Sequence, residues 1–191
     1  VHGWVLQNPK NSKIILYCPG NSNNISFRQN KLIKLHNLGY NVIAFDYSGF
    51  GKSNGIPNEQ NLYNDASTIM GTLYSNYLND NIIIYGEQLG AAVASYTARK
   101  YNIKKLILES PINDITDIIF TKKVPIFFKK IFKEFNTYIY LNGFLGQILI
   151  IYSDQDYNID NLLQLSTVKI NCLKNEDYLI TPWDDILNFL N

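Results

Sequence analysis

The chain has 191 residues, enough for one domain with a sizeable core and too few for two ordinary ones. With 46% hydrophobic, 14% aromatic and 17% charged residues it is too apolar for disorder, and a formal net charge of +1 gives no ground for a nucleic-acid partner. Two cysteines, Cys18 and Cys172, do not make a disulfide framework, so a reducing compartment is expected, and no apolar run has the length of a bilayer span.

The opening Val1-His2-Gly3-Trp4-Val5-Leu6 starts in mid-pattern and without a methionine. We expect a processed or trimmed chain, with any N-terminal anchor or signal outside it. Short β-branched and aromatic runs then predict strands over Lys13–Cys18, Asn41–Asp46, Asn81–Tyr85, Lys104–Glu109, Gln147–Tyr152 and Thr167–Leu173. Most are apolar throughout, as in parallel strands covered on both faces. Helices are predicted over Ser26–Leu38, Glu59–Leu78, Leu89–Tyr101 and Trp183–Leu190. Ser26 is the expected N-cap of the first, which Gly39 closes, and Thr181 with Pro182 is expected to open the last. Strand–helix alternation of this kind predicts an α/β fold: a mainly parallel sheet with right-handed crossovers and helices on both faces, in three layers. Pro111–Gly146 breaks the rhythm and reads as a helical excursion within a single domain, 1–191.

Three segments carry a resemblance. They are Tyr17-Cys18-Pro19-Gly20-Asn21-Ser22-Asn23-Asn24-Ile25-Ser26, Phe45-Asp46-Tyr47-Ser48-Gly49-Phe50-Gly51-Lys52-Ser53-Asn54-Gly55 and Ile84-Tyr85-Gly86-Glu87-Gln88-Leu89-Gly90-Ala91-Ala92. In order and spacing they resemble the α/β-hydrolase superfamily, and more narrowly its Bem46-type branch, which includes acyl-protein thioesterase relatives. The resemblance implies an α/β-hydrolase fold, short of its first strands, and a serine nucleophile on a Gly-x-Ser-x-Gly elbow. The elbow is a strained strand-to-helix turn that needs small residues two before and two after its tip. Gly86 and Gly90 hold those positions, so the tip is Gln88, where the family has serine. A carboxamide is no nucleophile near neutral pH. Glu87 is a carboxylate, but it stands one place too early.

The triad histidine is missing as well. The resemblance puts it after the last strand, at Asn175, while the chain's two histidines are His2 and His36. Asparagine does not shuttle protons near neutrality. The acid is kept as Asp156, with Asp154 its competitor. An acid that orients a histidine has no such task once the histidine is gone, and turn-forming is the alternative role for Asp156. The oxyanion cradle of the family would take one backbone N–H from Leu89 and another from the loop around Asn21, Ser22 and Asn23, donors that survive side-chain change. Cys18, at the rim of that loop, is weighed both as a thiol nucleophile and as plain packing.

The remaining features have plainer readings. His36 is expected at a solvated helix end, and His2 is expected to stand alone. No His/Cys/carboxylate cluster has metal-ligand spacing, so neither metal nor other cofactor is expected. Gly49-x-Gly51-Lys52-Ser53 lacks the spacing and the following helix of a phosphate loop. Val124–Phe135 alternates apolar and lysine residues at helical spacing. It is expected to cover the pocket as a cap helix, with peripheral contact to a membrane or an acyl chain as the alternative. The expected function is that of a degenerate hydrolase homologue, cytoplasmic or peripheral to a membrane, that binds a protein partner or an acyl-bearing small molecule. The alternative is an active ester or thioester hydrolase with rearranged residues.

Overall fold

The computed structural model describes residues 1–20, 24–113, 135–154, 156, 159–171, 174–175, 178–179 and 181–191. Seven strands form one sheet: β1 (Gly3–Leu6), β2 (Ile14–Cys18), β3 (Asn41–Phe45), β4 (Ile82–Glu87), β5 (Lys105–Glu109), β6 (Gln147–Tyr152) and β7 (Val168–Asn171). Their spatial order is β1-β3-β2-β4-β5-β6-β7. β1 runs antiparallel to β3 and every other pairing is parallel. The described helices are α1 (Gln29–Asn37), α2 (Glu59–Tyr74), α3 (Leu89–Lys100), α4 (Thr137–Leu141), α5 (Asp160–Leu165) and α6 (Trp183–Leu190). A separate two-stranded ladder pairs β8 (Lys174–Asn175) with β9 (Tyr178–Leu179).

Strands buried on both faces divide their side chains by the period of two. Ile14, Leu16 and Cys18 face the cluster built on α2, α3, α4 and α5. Ile15 and Tyr17 face the cluster built on α1 and α6. The sheet is thus the middle layer of three.

The structure differs from the expected elements at several ends. The first strand, Gly3–Leu6, was not expected. It is a half-exposed edge strand whose side chains alternate in burial, too short for a periodicity signal. The first helix opens as a 3₁₀ turn over Ile25–Arg28, and its cap is Asn24, not Ser26: the Asn24 side chain accepts the Ser26 N–H. The second helix ends at Tyr74 rather than Leu78. Ser75 Oγ and Asn76 Nδ2 donate to the carbonyls of Gly71 and Thr72 and satisfy its last turn. The last helix has Pro182 at its N-cap, so Thr181 is left free to donate elsewhere. β4 runs on to Glu87, two residues beyond its expected end. Among the described residues no helix is long and apolar enough to cross a membrane.

Candidate functional site: the elbow and its surroundings

β4 delivers the chain to a sharp turn at Gln88, after which α3 starts at Leu89. Gln88 has φ 50° and ψ −116°, a conformation that only glycine adopts without strain. Its neighbours explain why. A Cβ at Gly86 would lie 2.6 Å from the Gly90 carbonyl oxygen, and a Cβ at Gly90 would collide with the carbonyls of Cys18 and Pro19. Only glycine at both places lets the helix start this close to the strand ends. The Gln88 N–H donates to the Glu109 carbonyl at 2.9 Å, and the Ala91 N–H to the Gln88 carbonyl at 3.0 Å, which fixes the tip from both sides. The side chain of Gln88 lies against Gly20: a Cβ there would meet its Oε1 at 2.8 Å.

Leu89 is buried, and its N–H belongs to the first turn of α3, where no intrahelical acceptor exists. Asn21, Ser22 and Asn23 lie outside the described residues. Cys18 is fully buried at the end of β2, paired across the sheet with Gly86, and burial pushes its thiol well up. A thiol held protonated is a poor nucleophile at neutral pH.

Beside the elbow, Ser110 follows β5 with φ 45°. Its Oγ donates to Asp156 Oδ2 at 3.3 Å, and the Ser153 N–H donates to the same oxygen at 2.8 Å. Asp156 is half-buried and closes its own turn while touching the strand end next to Gln88, whereas Asp154 is exposed. Asn175 lies on the β8–β9 ladder, opposite Tyr178. Of the expected cap helix, residues 124–134 lie outside the described residues. Phe135 is buried, with its ring 5.4 Å from that of Tyr63.

His2 does not stand alone. Its Nδ1 lies 3.1 Å from Oδ2 of Asp46, a buried carboxylate that also takes the Ile25 N–H at 2.9 Å and the Lys52 N–H at 3.2 Å. Ser53 completes the knot, accepting the His2 N–H at 2.8 Å and donating to the Asp46 carbonyl at 2.6 Å. The Gly-Lys-Ser stretch therefore wraps the chain's own carboxylate, which takes the place a phosphate would need. His36 is half-buried and donates through Nδ1 to the Tyr40 carbonyl at 3.1 Å. Neither histidine belongs to the elbow. Among the described residues no group of three or more His, Cys, Asp or Glu is placed to hold a metal ion.

Sequence reasoning missed a network on the α1/α6 side. Glu87 and Glu109 are register partners at the ends of β4 and β5. Glu87 accepts from Arg28 Nε at 2.8 Å and from the Tyr17 hydroxyl, with Lys31 Nζ at 3.8 Å. Glu109 accepts from Lys31 at 2.6 Å, from the Tyr85 hydroxyl and from Thr181 at 3.4 Å. Burial alone would raise the Glu87 pKa. The charges of Lys31 and Arg28, with the Tyr17 and Arg28 hydrogen bonds, outweigh it and hold the carboxyl below its usual range. Burial raises Tyr17 and Tyr85, and the carboxylates raise them further, so both phenols stay neutral donors. Glu87 is thus committed to an ion pair and is not a displaced nucleophile. Its one sequence signal is the period of two, which puts Tyr85, Glu87, Ile107 and Glu109 on one face.

The Hydrolase_4 family, described as serine aminopeptidase, S33, matches residues 9–167. An uncharacterized protein of Acanthamoeba polyphaga mimivirus is 37% identical over 128 residues, covering 60% of this chain and 43% of its own length. The human alpha/beta hydrolase domain-containing protein 17B is 29% identical over 162 residues, covering 82% of this chain and 54% of its own. The chain spans about half, or less, of the curated relatives it matches. Among solved structures, an esterase of Pyrococcus furiosus superposes with a TM-score of 0.76 at 19% identity, over 98% of this chain and 84% of that one. An α/β hydrolase of Vibrio vulnificus gives 0.74 at 22%, over 86% and 68%. The strained elbow, the mostly parallel sheet and these likenesses agree with the resemblance read from the three motifs: the chain belongs to the Hydrolase_4 family of α/β-hydrolase-fold proteins.

Proposed function

We propose that this chain is an α/β-hydrolase homologue without serine-hydrolase chemistry, which acts by binding a protein partner or an acyl-bearing small molecule. The observation that carries the reading is Gln88 at the strained tip, in a chain whose histidines, His2 and His36, are engaged with Asp46 and the Tyr40 carbonyl. With nucleophile and base both absent, the most that remains is the help of an oxyanion cradle, ~10³–10⁴ over water in a complete serine-hydrolase site. Several similar structures are esterases, which makes esters and acyl groups the first ligand class to test. The reading includes work in the cytoplasm or at a membrane surface, where the lysine- and phenylalanine-rich Val124–Phe135 would make the contact.

A second reading rests on Ser110, a serine in strained backbone with a carboxylate on its Oγ. It would make the chain an ester or thioester hydrolase with rearranged residues. A carboxylate is a weak base for a serine hydroxyl, which places this reading second. Fluorophosphonate labelling and short-chain nitrophenyl ester assays separate the two. We expect no labelling, no turnover above background, and no rescue by Gln88→Ser alone, because both histidines are engaged elsewhere. Turnover that disappears in Ser110→Ala or Asp156→Ala would establish the rearranged hydrolase instead.

A further inference from the structure

A cavity of about 430 Å³ opens between the segment that begins α1 and the start of α6. Its size is that of a small-ligand pocket. It lies at the carboxyl ends of β4 and β5, where α/β sheets place ligand sites. Phe27 lines it from the α1 side and Trp183 from the α6 side. Phe27 is 66% exposed, an aromatic ring left largely in water at the mouth of a cavity. Arg28, Lys31, Lys34 and Glu87 supply the charged lining.

The charges are unequal. Arg28 is matched by Glu87, and Lys31 by Glu109 with Glu87 beyond it. Lys34 is exposed and has no carboxylate partner among the described residues. Both carboxylates are already engaged by cations and phenols, so a cationic ligand would have to displace those partners. An anion would meet Lys34 and the edge of Lys31 without breaking a bond. Arg28, Lys31 and Glu87 make a rigid floor, because each is pinned by a neighbour, and Lys34 stands at its edge. A rigid polar floor with one uncompensated cation, between two aromatic side chains, fits a flat ring carrying a negative group.

We propose that this cleft binds a small aromatic anion, its ring against Phe27 and Trp183 and its carboxylate or phosphate on Lys34 and Lys31. The site does not depend on whether the elbow is inert. Trp183 reports on it directly: the chain has two tryptophans, and Trp4→Phe leaves a single indole. In that background the Trp183 indole N–H signal is followed by NMR during titration with 2-naphthoate, 2-naphthyl phosphate and the neutral 2-naphthamide. We expect a saturable shift with the anions and affinity weaker by about tenfold for the amide, the scale of one charge-assisted contact. Whichever anion binds more tightly identifies the group. Lys34→Glu and Phe27→Ala alter exposed side chains and should leave the fold intact. Lys34→Glu should weaken naphthoate by about tenfold or more and leave naphthamide unchanged, while Phe27→Ala should weaken both. No saturable shift, equal affinity for the amide, or indifference to both substitutions would overturn the proposal.

Discussion

Gln88 holds the backbone of a nucleophile elbow with a carboxamide at its tip. The strain therefore belongs to the architecture: the close approach of α3 to Cys18 and Pro19 through Gly86 and Gly90 sets it, whatever side chain occupies the tip. A non-glycine residue in such a conformation costs about 1–3 kcal/mol, and a glycine there loses about 0.5–1 kcal/mol through the unfolded chain. Gln88→Gly should thus stabilise the protein by about 1 kcal/mol in urea unfolding. A clear loss would mean that the contact of the Gln88 side chain with Gly20 outweighs the strain. Cys18 makes a parallel point. A strand-end thiol reads equally as reactive or as packing in a sequence, and its full burial is what distinguishes the two.

Among the elements, β2, β4, β5, α1 and the entry to α6 are joined by the Glu87–Glu109 network. Removing one member strands a buried charge, so Arg28→Ala should cost about 3–5 kcal/mol. The pH dependence has a definite sign. Glu87 titrates below its unfolded-state pKa of about 4.3, so its contribution is present above that value and is lost as pH falls through the lower folded one. Glu87→Gln should reduce stability at pH 7 and flatten the decline between pH 5 and pH 3, as measured by urea unfolding at each pH. Equal slopes in both proteins would show that other carboxylates carry the acid sensitivity. This network was closed to sequence reading because its bonds join residues 59 and 78 positions apart, Arg28 to Glu87 and Lys31 to Glu109. The five interior strands, β2 to β6, were legible, since burial on both faces makes them nearly continuously apolar. Gly3–Leu6 was not, since at this edge only Trp4 and Leu6 turn partly inward. At the elbow, two glycines four apart were enough to locate Gln88. The link between Ser110 and Asp156, 46 residues apart, left no local trace.

For the whole molecule, the strand order predicts how protection is distributed. β2, β4 and β5 sit in the middle of the sheet with both faces covered, and β1 hangs on one edge with Val5 56% exposed. In hydrogen exchange the amides of Ile15, Leu16, Ile83, Ile84, Leu106 and Ile107 should open only with global unfolding, and those of β1 by local fraying. Uniform protection across β1 and β4 would mean that the edge is held more firmly than its own packing accounts for.

Such firmness has an available source in Asp46. Its carboxylate reaches Ile25, 21 residues back, His2, 44 residues back, and Lys52, six residues ahead. Closing a loop costs entropy that grows only slowly with length, and two loops sharing one anchor are not independent. Once the short Lys52 arm is in place, the carboxylate is already oriented for the other two. The N-terminal strand, the turn into α1 and the Gly-rich loop after β3 then order as one cooperative unit, and a single change, Asp46→Ala, would release all three.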